Sequence, residues 1–125
     1  MWHKERRWTA RLVAEQAVMR ERFPHFALQR QPNGHLHRQG VLEPHPGVAF
    51  LVRLEYPNRY PYREPRLWVL APPLLPGTPH LYADGSVCAH RERWDPERGT
   101  AVSMVPVLAA WCVLYARWVT TGERF

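Results

Sequence analysis

Hydrophobic side chains near the N-terminus recur with the spacing of an amphipathic helix. At about 100° per residue, the apolar positions between residues 3 and 23 share one narrow face. That face consists of Trp8, Leu12, Met19 and Phe23. Pro24 ends the pattern, because a proline inside a helix removes a backbone donor and clashes with the preceding turn. The sequence therefore predicts a helix over residues 3–23.

The pattern then changes from helical spacing to the alternation typical of half-buried strands. Its clearest stretch is 48–55, in which Phe50, Val52 and Leu54 alternate with Leu51, Arg53 and Glu55. Shorter segments of the same kind, separated by turn residues such as Pro32-Asn33-Gly34, cover residues 26–29, 35–42 and 66–70. A loop through Pro44, Pro46 and Gly47 is expected between the second and third strands. These segments predict a four-stranded antiparallel meander.

A second helical pattern closes the chain, after a stretch from 71 to 102 that shows little periodicity. It covers residues 103–119, with Ser103 as a candidate N-cap, Pro106 expected in the first turn and Gly122 as the stop. Its apolar stripe is formed by Met104, Leu108, Trp111, Cys112, Tyr115 and Trp118. Helix, strand meander and helix, in that order, predict an α+β fold.

Length and composition limit the classes of protein to consider. The 125 residues suffice for one domain, residues 1–125, around one core. The formal charge of +6 is compatible with nucleic acid or with an acidic protein partner. The basic residues are not interleaved with aromatic ones as in RNA- or DNA-binding modules, which makes nucleic acid the weaker interpretation. No apolar run of membrane-spanning length, signal segment or disulfide framework is evident, and we expect a cytoplasmic location.

The main candidate for chemistry is Cys88. It ends the segment Tyr82-Ala83-Asp84-Gly85-Ser86-Val87-Cys88, and Trp94-Asp95-Pro96 begins six residues later. Asp-Gly is a turn-forming pair, so a tight turn is expected to present the thiol. Alone, such a cysteine is more typical of a small buried side chain than of a nucleophile. Cys112 lies on the apolar stripe of the second helix and is expected in the core.

The order of motifs resembles that of ubiquitin-conjugating enzymes. Over residues 48–118, Tyr60-Pro61-Tyr62-Arg63-Glu64-Pro65 is followed by a strand, the Asp-Gly-Ser-Val-Cys element, Trp-Asp-Pro and a helix. This is the family's order, and the ending with Trp111, Tyr115, Trp118 and Thr121-Gly122 looks like that of small bacterial relatives from phage-defence operons. The resemblance implies that Cys88 carries a ubiquitin-like protein as a thioester. It also implies a minimal version of the fold, with a cysteine flap around Cys88 and without the usual C-terminal pair of helices.

The resemblance assigns further roles around Cys88. His80 stands eight residues before the cysteine, where the family usually has the Asn of His-Pro-Asn, which is credited with stabilising the oxyanion. A histidine has an N–H donor and can also accept a proton near neutral pH. His90 is a possible assistant, and Asp95 would orient an attacking lysine. Structural roles at the site are expected for Tyr82, Asp84, Gly85 and Trp94.

The first helix carries a basic stripe beside its apolar face, formed by Lys4, Arg7, Arg11 and Arg22. Such a stripe is commonly a solvated surface. In the family that the chain resembles, basic residues on the first helix meet the activating enzyme, so Lys4, Arg7 and Arg11 are candidate partner-binding residues.

Implied partners are a ubiquitin-like protein, an adenylating activating enzyme, a target amine and a deconjugating peptidase of the same system. No cofactor or membrane is implied, because ATP is used by the activating enzyme.

Three other interpretations compete with the conjugating enzyme. His80, Cys88 and His90 offer three zinc ligands, although their spacing matches no tight zinc motif and no metal is expected. A Cys-His hydrolase would need an orienting third residue, which nothing in the sequence marks. A non-catalytic scaffold of the same fold would bind a ubiquitin-like protein or the activating enzyme. The retained cysteine disfavours the scaffold, and the missing Asn favours it.

Overall fold

The computed structural model describes residues 6–89 and 93–125, with side chains from residue 10 onward. Its elements follow the predicted α+β order, with the bounds α1 Arg6–Arg22, β1 Ala27–Arg30, β2 Leu36–His45, β3 Val48–Glu55, β4 Arg66–Ala71 and α2 Ala101–Thr121. The predicted start of the first helix at residue 3 lies outside the described residues. The four strands form one antiparallel sheet in chain order, β1-β2-β3-β4. The predicted helix–meander–helix arrangement is therefore confirmed.

The core lies between one face of the sheet and α2. Along β3, Phe50, Val52 and Leu54 are buried as the alternation predicts. Leu108 and Cys112 of α2 pack against this face, both fully buried. The expectation that Cys112 belongs to the core is thus confirmed, and burial raises the pKa of its thiol to about 12.

Most element boundaries differ from the sequence expectation by one or two residues, and the end of β2 differs by more. Strand β2 continues through Pro44 to His45 instead of ending at residue 42, with an irregular register between Leu42 and His45. A bulge accommodates the proline where regular pairing would require its missing N–H. The turn to β3 is consequently shorter than the expected loop, and it uses Gly47 at φ +80°.

The start of α2 also differs, because the N-cap is Thr100 and not Ser103. The Thr100 side chain accepts from the backbone N–H of Ser103, and the Ser103 hydroxyl accepts from the backbone N–H of Thr100, forming a capping box. Pro106 consequently lies in the second turn, where its missing N–H removes one hydrogen bond on an exposed side of the helix. The predicted stop is correct, since Gly122 adopts the left-handed C-cap conformation at φ +74°.

By length and composition alone, α2 is long and apolar enough to cross a membrane. The expectation that no apolar segment reaches membrane-spanning length is therefore wrong for this helix. In the structure, one side of α2 forms part of the domain core. Its residues there are almost inaccessible to solvent and include Val105, Leu108, Trp111 and Cys112.

A buried polar cluster joins α1, the sheet and α2, and consists of Glu15, Arg38, Tyr56 and Tyr60. The Glu15 carboxylate is 3% exposed and accepts from the Tyr60 hydroxyl at 2.6 Å and from the Ala101 N–H at 3.1 Å. Fully buried Arg38 donates to the Tyr56 hydroxyl at 2.9 Å. That hydroxyl lies 3.4 Å from Glu15, so Tyr56 bridges the two opposite charges.

Charge and burial determine the protonation state of this cluster. Burial, followed by the negative charge of Glu15, raises the pKa of both Tyr56 and Tyr60. The two phenols therefore stay protonated and act as donors to the carboxylate. Since Glu15 also accepts from the first N–H of α2, one side chain fixes α1 against the start of α2.

Candidate functional site

Residues 81–88 form a short hairpin, the cysteine hairpin, which follows β4 in the chain. Leu81 and Val87 form an antiparallel bridge, the Tyr82 N–H donates to the Ser86 carbonyl at 2.8 Å, and the Gly85 N–H donates to the Tyr82 carbonyl at 2.9 Å. Gly85 lies at φ +91°, a conformation that favours glycine. The turn expected from Asp84-Gly85 therefore exists and leads directly to Cys88.

The Asp84 side chain stabilises this turn. Its Oδ1 accepts from the Ser86 N–H at 2.9 Å and from the Ser86 hydroxyl at 2.6 Å, while Oδ2 lies 2.7 Å from Arg66 Nη1 of β4. The hydrogen bonds from Ser86, and then the Arg66 charge, lower the pKa of Asp84. The carboxylate thus stays ionised and ties the hairpin to the edge of the sheet.

Cys88 is anchored through its backbone while its side chain stays partly exposed. The Val87 N–H donates to the Leu67 carbonyl at 2.7 Å, and the buried Val87 side chain holds the hairpin on the core. The Cys88 N–H donates to the His80 carbonyl at 2.8 Å. The thiol is free, and it is the more accessible of the two cysteines. This is the placement that a nucleophile requires, in contrast to buried Cys112.

Tyr82 connects Cys88 to Glu64. The hydrogen bond with the Cys88 thiol, followed by burial and the Glu64 charge, raises the pKa of Tyr82. The Tyr82 hydroxyl lies 3.4 Å from Glu64 Oε1. Sequence reasoning assigned Tyr82 only a structural role and did not select Glu64 at all. The sequence feature that could have identified Glu64 is its position in the Tyr-Pro-Tyr-Arg-Glu-Pro motif. That position indicates that Glu64 lies near the site, but it does not indicate what the side chain does there.

His80 supports Cys88 through its carbonyl, while its imidazole contacts the C-terminal segment. The residue adopts φ +59°, unusual for a non-glycine residue. Its Nε2 is hydrogen-bonded to the backbone oxygen of Phe125, and the two rings lie 5.3 Å apart. The oxyanion role expected for this side chain remains a prediction, and it would require His80 to exchange the Phe125 contact for one at the thioester.

Trp94 packs behind the site between two backbone segments. Its indole N–H donates to the Pro61 carbonyl at 2.7 Å, and its ring lies 6.3 Å from that of Tyr60. On the other side, a Cβ added to Gly99 would come within 2.5 Å of the indole. The absence of a side chain at Gly99 therefore allows Trp94 to lie flat against the backbone.

Asp95 takes part in the turn that precedes α2. Its Oδ1 accepts from the Glu97 N–H at 2.9 Å, and its Oδ2 lies 3.9 Å from Arg98 Nε. It also lines a cleft of about 660 Å³ together with Glu64 and Ala89, so it faces the same space as the residue after Cys88. The amine-orienting role expected for Asp95 stays a prediction.

The predicted partner-binding residues of α1 divide into described and undescribed positions. Lys4 lies outside the described residues, and Arg7 lies in α1 with an undescribed side chain. The guanidinium of Arg11 is hydrogen-bonded to the carbonyls of Pro96 and Gly99, and its carbon lies 5.6 Å from the centroid of the Tyr60 ring. Arg11 thus bonds within the domain, and its docking role remains a prediction.

The zinc alternative involved His80, Cys88 and His90. Across 6–89 and 93–125, no group of three His, Cys, Asp or Glu side chains is arranged to hold a metal ion. His90 lies outside that range, so neither its assistance to Cys88 nor its proposed ligation is tested.

The order of elements, with a presented cysteine after the last strand of the meander, is that of a conjugating-enzyme-like domain. The family model for Type II CBASS E2 proteins matches residues 15–124, and the chain belongs to this family. Membership gives the protein a ubiquitin-conjugating-like role in bacterial phage defence. No curated protein matches the chain.

Proposed function

We propose that this protein accepts a ubiquitin-like modifier from an activating enzyme as a thioester on Cys88 and transfers it to an amine of a target protein. The supporting observation is the placement of Cys88, which is backbone-anchored, partly exposed and hydrogen-bonded to Tyr82 in a chain of the E2 family. Transthiolation requires an accessible thiol that attacks one thioester and becomes the acyl carrier of the next.

The partners follow from this chemistry. An adenylating enzyme uses ATP to activate the modifier, and a deconjugating peptidase of the same system reverses the modification. The carrier step itself takes place without a cofactor and in the cytoplasm. Lys4, Arg7 and Arg11 belong to the surface that meets the activating enzyme.

The test replaces Cys88 by lysine, so that the modifier is captured as a stable amide. Tagged Cys88→Lys is expressed in the native host, purified under denaturing conditions and analysed by mass spectrometry. We expect the C-terminal tail of a small protein joined to the lysine at position 88. The matched control is Ala83→Lys, because Ala83 is an exposed position on the same hairpin and should remain unmodified.

The non-catalytic scaffold is the second candidate, favoured by the His80 imidazole contacting Phe125 where the family has its Asn. An unmodified Cys88→Lys variant, together with a wild type lacking any thiol-sensitive conjugate on non-reducing gels, would establish the scaffold. Cys88→Ala should leave binding of the modifier unchanged under either function and should abolish transfer only under the first.

A direct role of His80 is tested by comparing charging with discharge. If its imidazole stabilises the oxyanion, His80→Ala slows discharge to amines far more than it slows charging, and His80→Asn restores discharge. Equal discharge by His80→Ala and wild type would exclude that role.

A further inference from the structure

The Tyr82 hydroxyl lies between the thiol of Cys88 and the carboxylate of Glu64. It is hydrogen-bonded to the thiol, and it lies 3.4 Å from Glu64 Oε1. The three groups come from separate parts of the chain: Glu64 from the segment before β4, Tyr82 from the start of the cysteine hairpin and Cys88 from its end. The side chain of Tyr82 therefore links the Glu64 carboxylate to the reactive sulfur of Cys88.

Glu64 is a half-buried residue that lines the space around the cysteine hairpin, with its Oε2 atom buried. It lines the cleft of about 740 Å³ that also contains Tyr82, Ser86 and Val87. Among the described residues lining this cleft it is the only acidic one, whereas Arg63, Arg66 and Arg93 line it as well. Glu64 also lines the neighbouring cleft beside Ala89. A cationic amine entering from either cleft meets its negative charge there.

The other carboxylate near the site, Asp95, has different neighbours. Its Oδ1 accepts a backbone N–H and its Oδ2 lies near Arg98, both within the turn before α2. Glu64 is instead linked to the side chain that touches the thiol. The link through Tyr82 thus favours Glu64 over Asp95 as the carboxylate that acts at Cys88.

We propose that Glu64 is the carboxylate that binds the incoming amine and removes its proton during attack on the Cys88 thioester, with Tyr82 as its positioning residue. The proposal rests on the thioester function proposed above. It transfers to Glu64 the task that the sequence suggested for Asp95.

The step balances with the groups at hand. The ammonium of the target lysine gives one proton to the Glu64 carboxylate, and the neutral nitrogen attacks the thioester carbonyl. The new C–N bond forms as the C–S bond breaks, and the second nitrogen proton passes to the departing Cys88 sulfur. The products are an amide, a protonated Glu64 and a free thiol. The Tyr82 O–H donates a hydrogen bond to the sulfur as negative charge develops there.

The experiment loads Cys88 chemically, so that neither the natural modifier nor the activating enzyme is needed. The purified full-length protein is acylated by exchange with a small acetyl-Gly-Gly thioester, and Cys88→Ser checks that loading occurs at this residue. Discharge is then followed by mass spectrometry with two nucleophiles. Free lysine carries an ammonium at neutral pH, whereas hydroxylamine is uncharged and needs no proton removed before it attacks.

We expect Glu64→Gln to slow discharge to lysine by about 100-fold, the usual contribution of a positioned general base. Discharge to hydroxylamine should remain at the wild-type rate. Glu64→Asp keeps the carboxylate one methylene further back and should fall in between. Glu97→Gln, at an exposed position, is the matched control and should behave as wild type with both nucleophiles.

Three outcomes would overturn the assignment. Equal slowing with lysine and hydroxylamine would mean that Glu64 only supports the structure. A wild-type lysine rate in Glu64→Gln would remove it from the step, and selective loss in Asp95→Asn would give the role to Asp95. A loaded wild type that discharges no faster than the same acyl group on glutathione would instead refute the transfer function itself, whatever Glu64 does.

Discussion

The buried polar cluster and the cysteine hairpin are both built from hydrogen bonds, but the bonds span very different lengths of chain. In the cluster, Glu15 is bonded to Tyr60 and to Ala101, 45 and 86 residues away. In the hairpin, Asp84 is bonded to Ser86 two residues on, and the most distant hydrogen bond of Asp84 is to Arg66, 18 residues away. The first region holds distant elements together, whereas the second shapes one exposed turn. Substitutions should therefore affect stability in the first and chemistry in the second.

The largest expected effect is that of Glu15→Ala. The substitution removes the carboxylate that accepts from the buried Tyr60 and Tyr56 hydroxyls, and it removes one of the two acceptors of the Ala101 N–H, the other being the Tyr60 hydroxyl. At about 1–3 kcal/mol for each unsatisfied group, we expect a loss of about 3 kcal/mol or more in the free energy of unfolding. Urea denaturation measures it. The control, exposed Glu21→Ala on the same helix, should change stability by less than about 0.5 kcal/mol. Similar losses in both variants would refute the role of the cluster.

Gly99→Ala should have the next largest effect. Gly99 contacts Trp94, whose indole lies between Tyr60 of the buried polar cluster and the candidate site. The added methyl group would displace the Trp94 indole, which closes the back of the site. We expect a loss of about 1–3 kcal/mol by thermal or urea unfolding, as for other overpacked positions. Repeating the substitution in a Trp94→Leu background is the control. If the cost were the same in that background, contact with the indole would not be its cause.

The two cysteines give a direct contrast between buried and presented side chains. Cys112→Ser places a hydroxyl in the core and should cost about 1–3 kcal/mol, whereas Cys88→Ser should cost less than about 0.5 kcal/mol. Alkylation of the native protein with iodoacetamide, followed by mass spectrometry, should label Cys88 and leave Cys112 unlabelled. Comparable labelling of both would contradict the described burial.

The smallest expected effect separates the sheet from the cysteine hairpin by pH. Burial, followed by the Arg53 charge, lowers the pKa of His37 on β2 below its ordinary value of 6.5. His37 Nε2 lies 2.9 Å from Gln29 Oε1, while buried Nδ1 has no acceptor for a proton among the described residues. The unfolded chain therefore binds a proton first, and stability is lost as the pH falls from 6.5 through the folded pKa. The lowered pKa of Asp84 acts in the same direction only below about 3.8.

Between neutral pH and about pH 5, the free energy of unfolding should thus depend on the titration of His37. The Asp84 carboxylate should contribute nothing over this range. His37→Gln should flatten the dependence, and Asp84→Asn should leave it unchanged over this range. A slope that persists in His37→Gln would assign the proton uptake to another group.

The sequence predicted those parts of the fold in which regularly spaced apolar residues pack into the single core. Val48–Glu55 was predicted to the residue, because its alternation places every second side chain on the buried face. The start of α2 was less certain, since Thr100 and Ser103 are both capping residues. Only their reciprocal hydrogen bonds identify Thr100 as the N-cap.

Buried charges and long-range contacts could not be predicted in this way. Glu15 and Arg38 are residue types usually found at the surface, and their burial depends on partners that the fold brings from distant segments. The same limit applied at the site. The Asp84-Gly85 turn was readable because it is local. The approach of Glu64 to Tyr82 depends on how the segment before β4 packs against the hairpin, which no spacing in the sequence encodes.

The two carbonyl contacts of Arg11 have a consequence for motion on the timescale of amide hydrogen exchange. Gly99 is 88 residues from Arg11 in the chain, yet its carbonyl and that of Pro96 are held by one guanidinium from α1. Opening of this loop breaks bonds to the helix, so the loop and α1 should open as one cooperative unit. Deuterium uptake at residues 97–99 would then report on fluctuations of a helix remote in sequence.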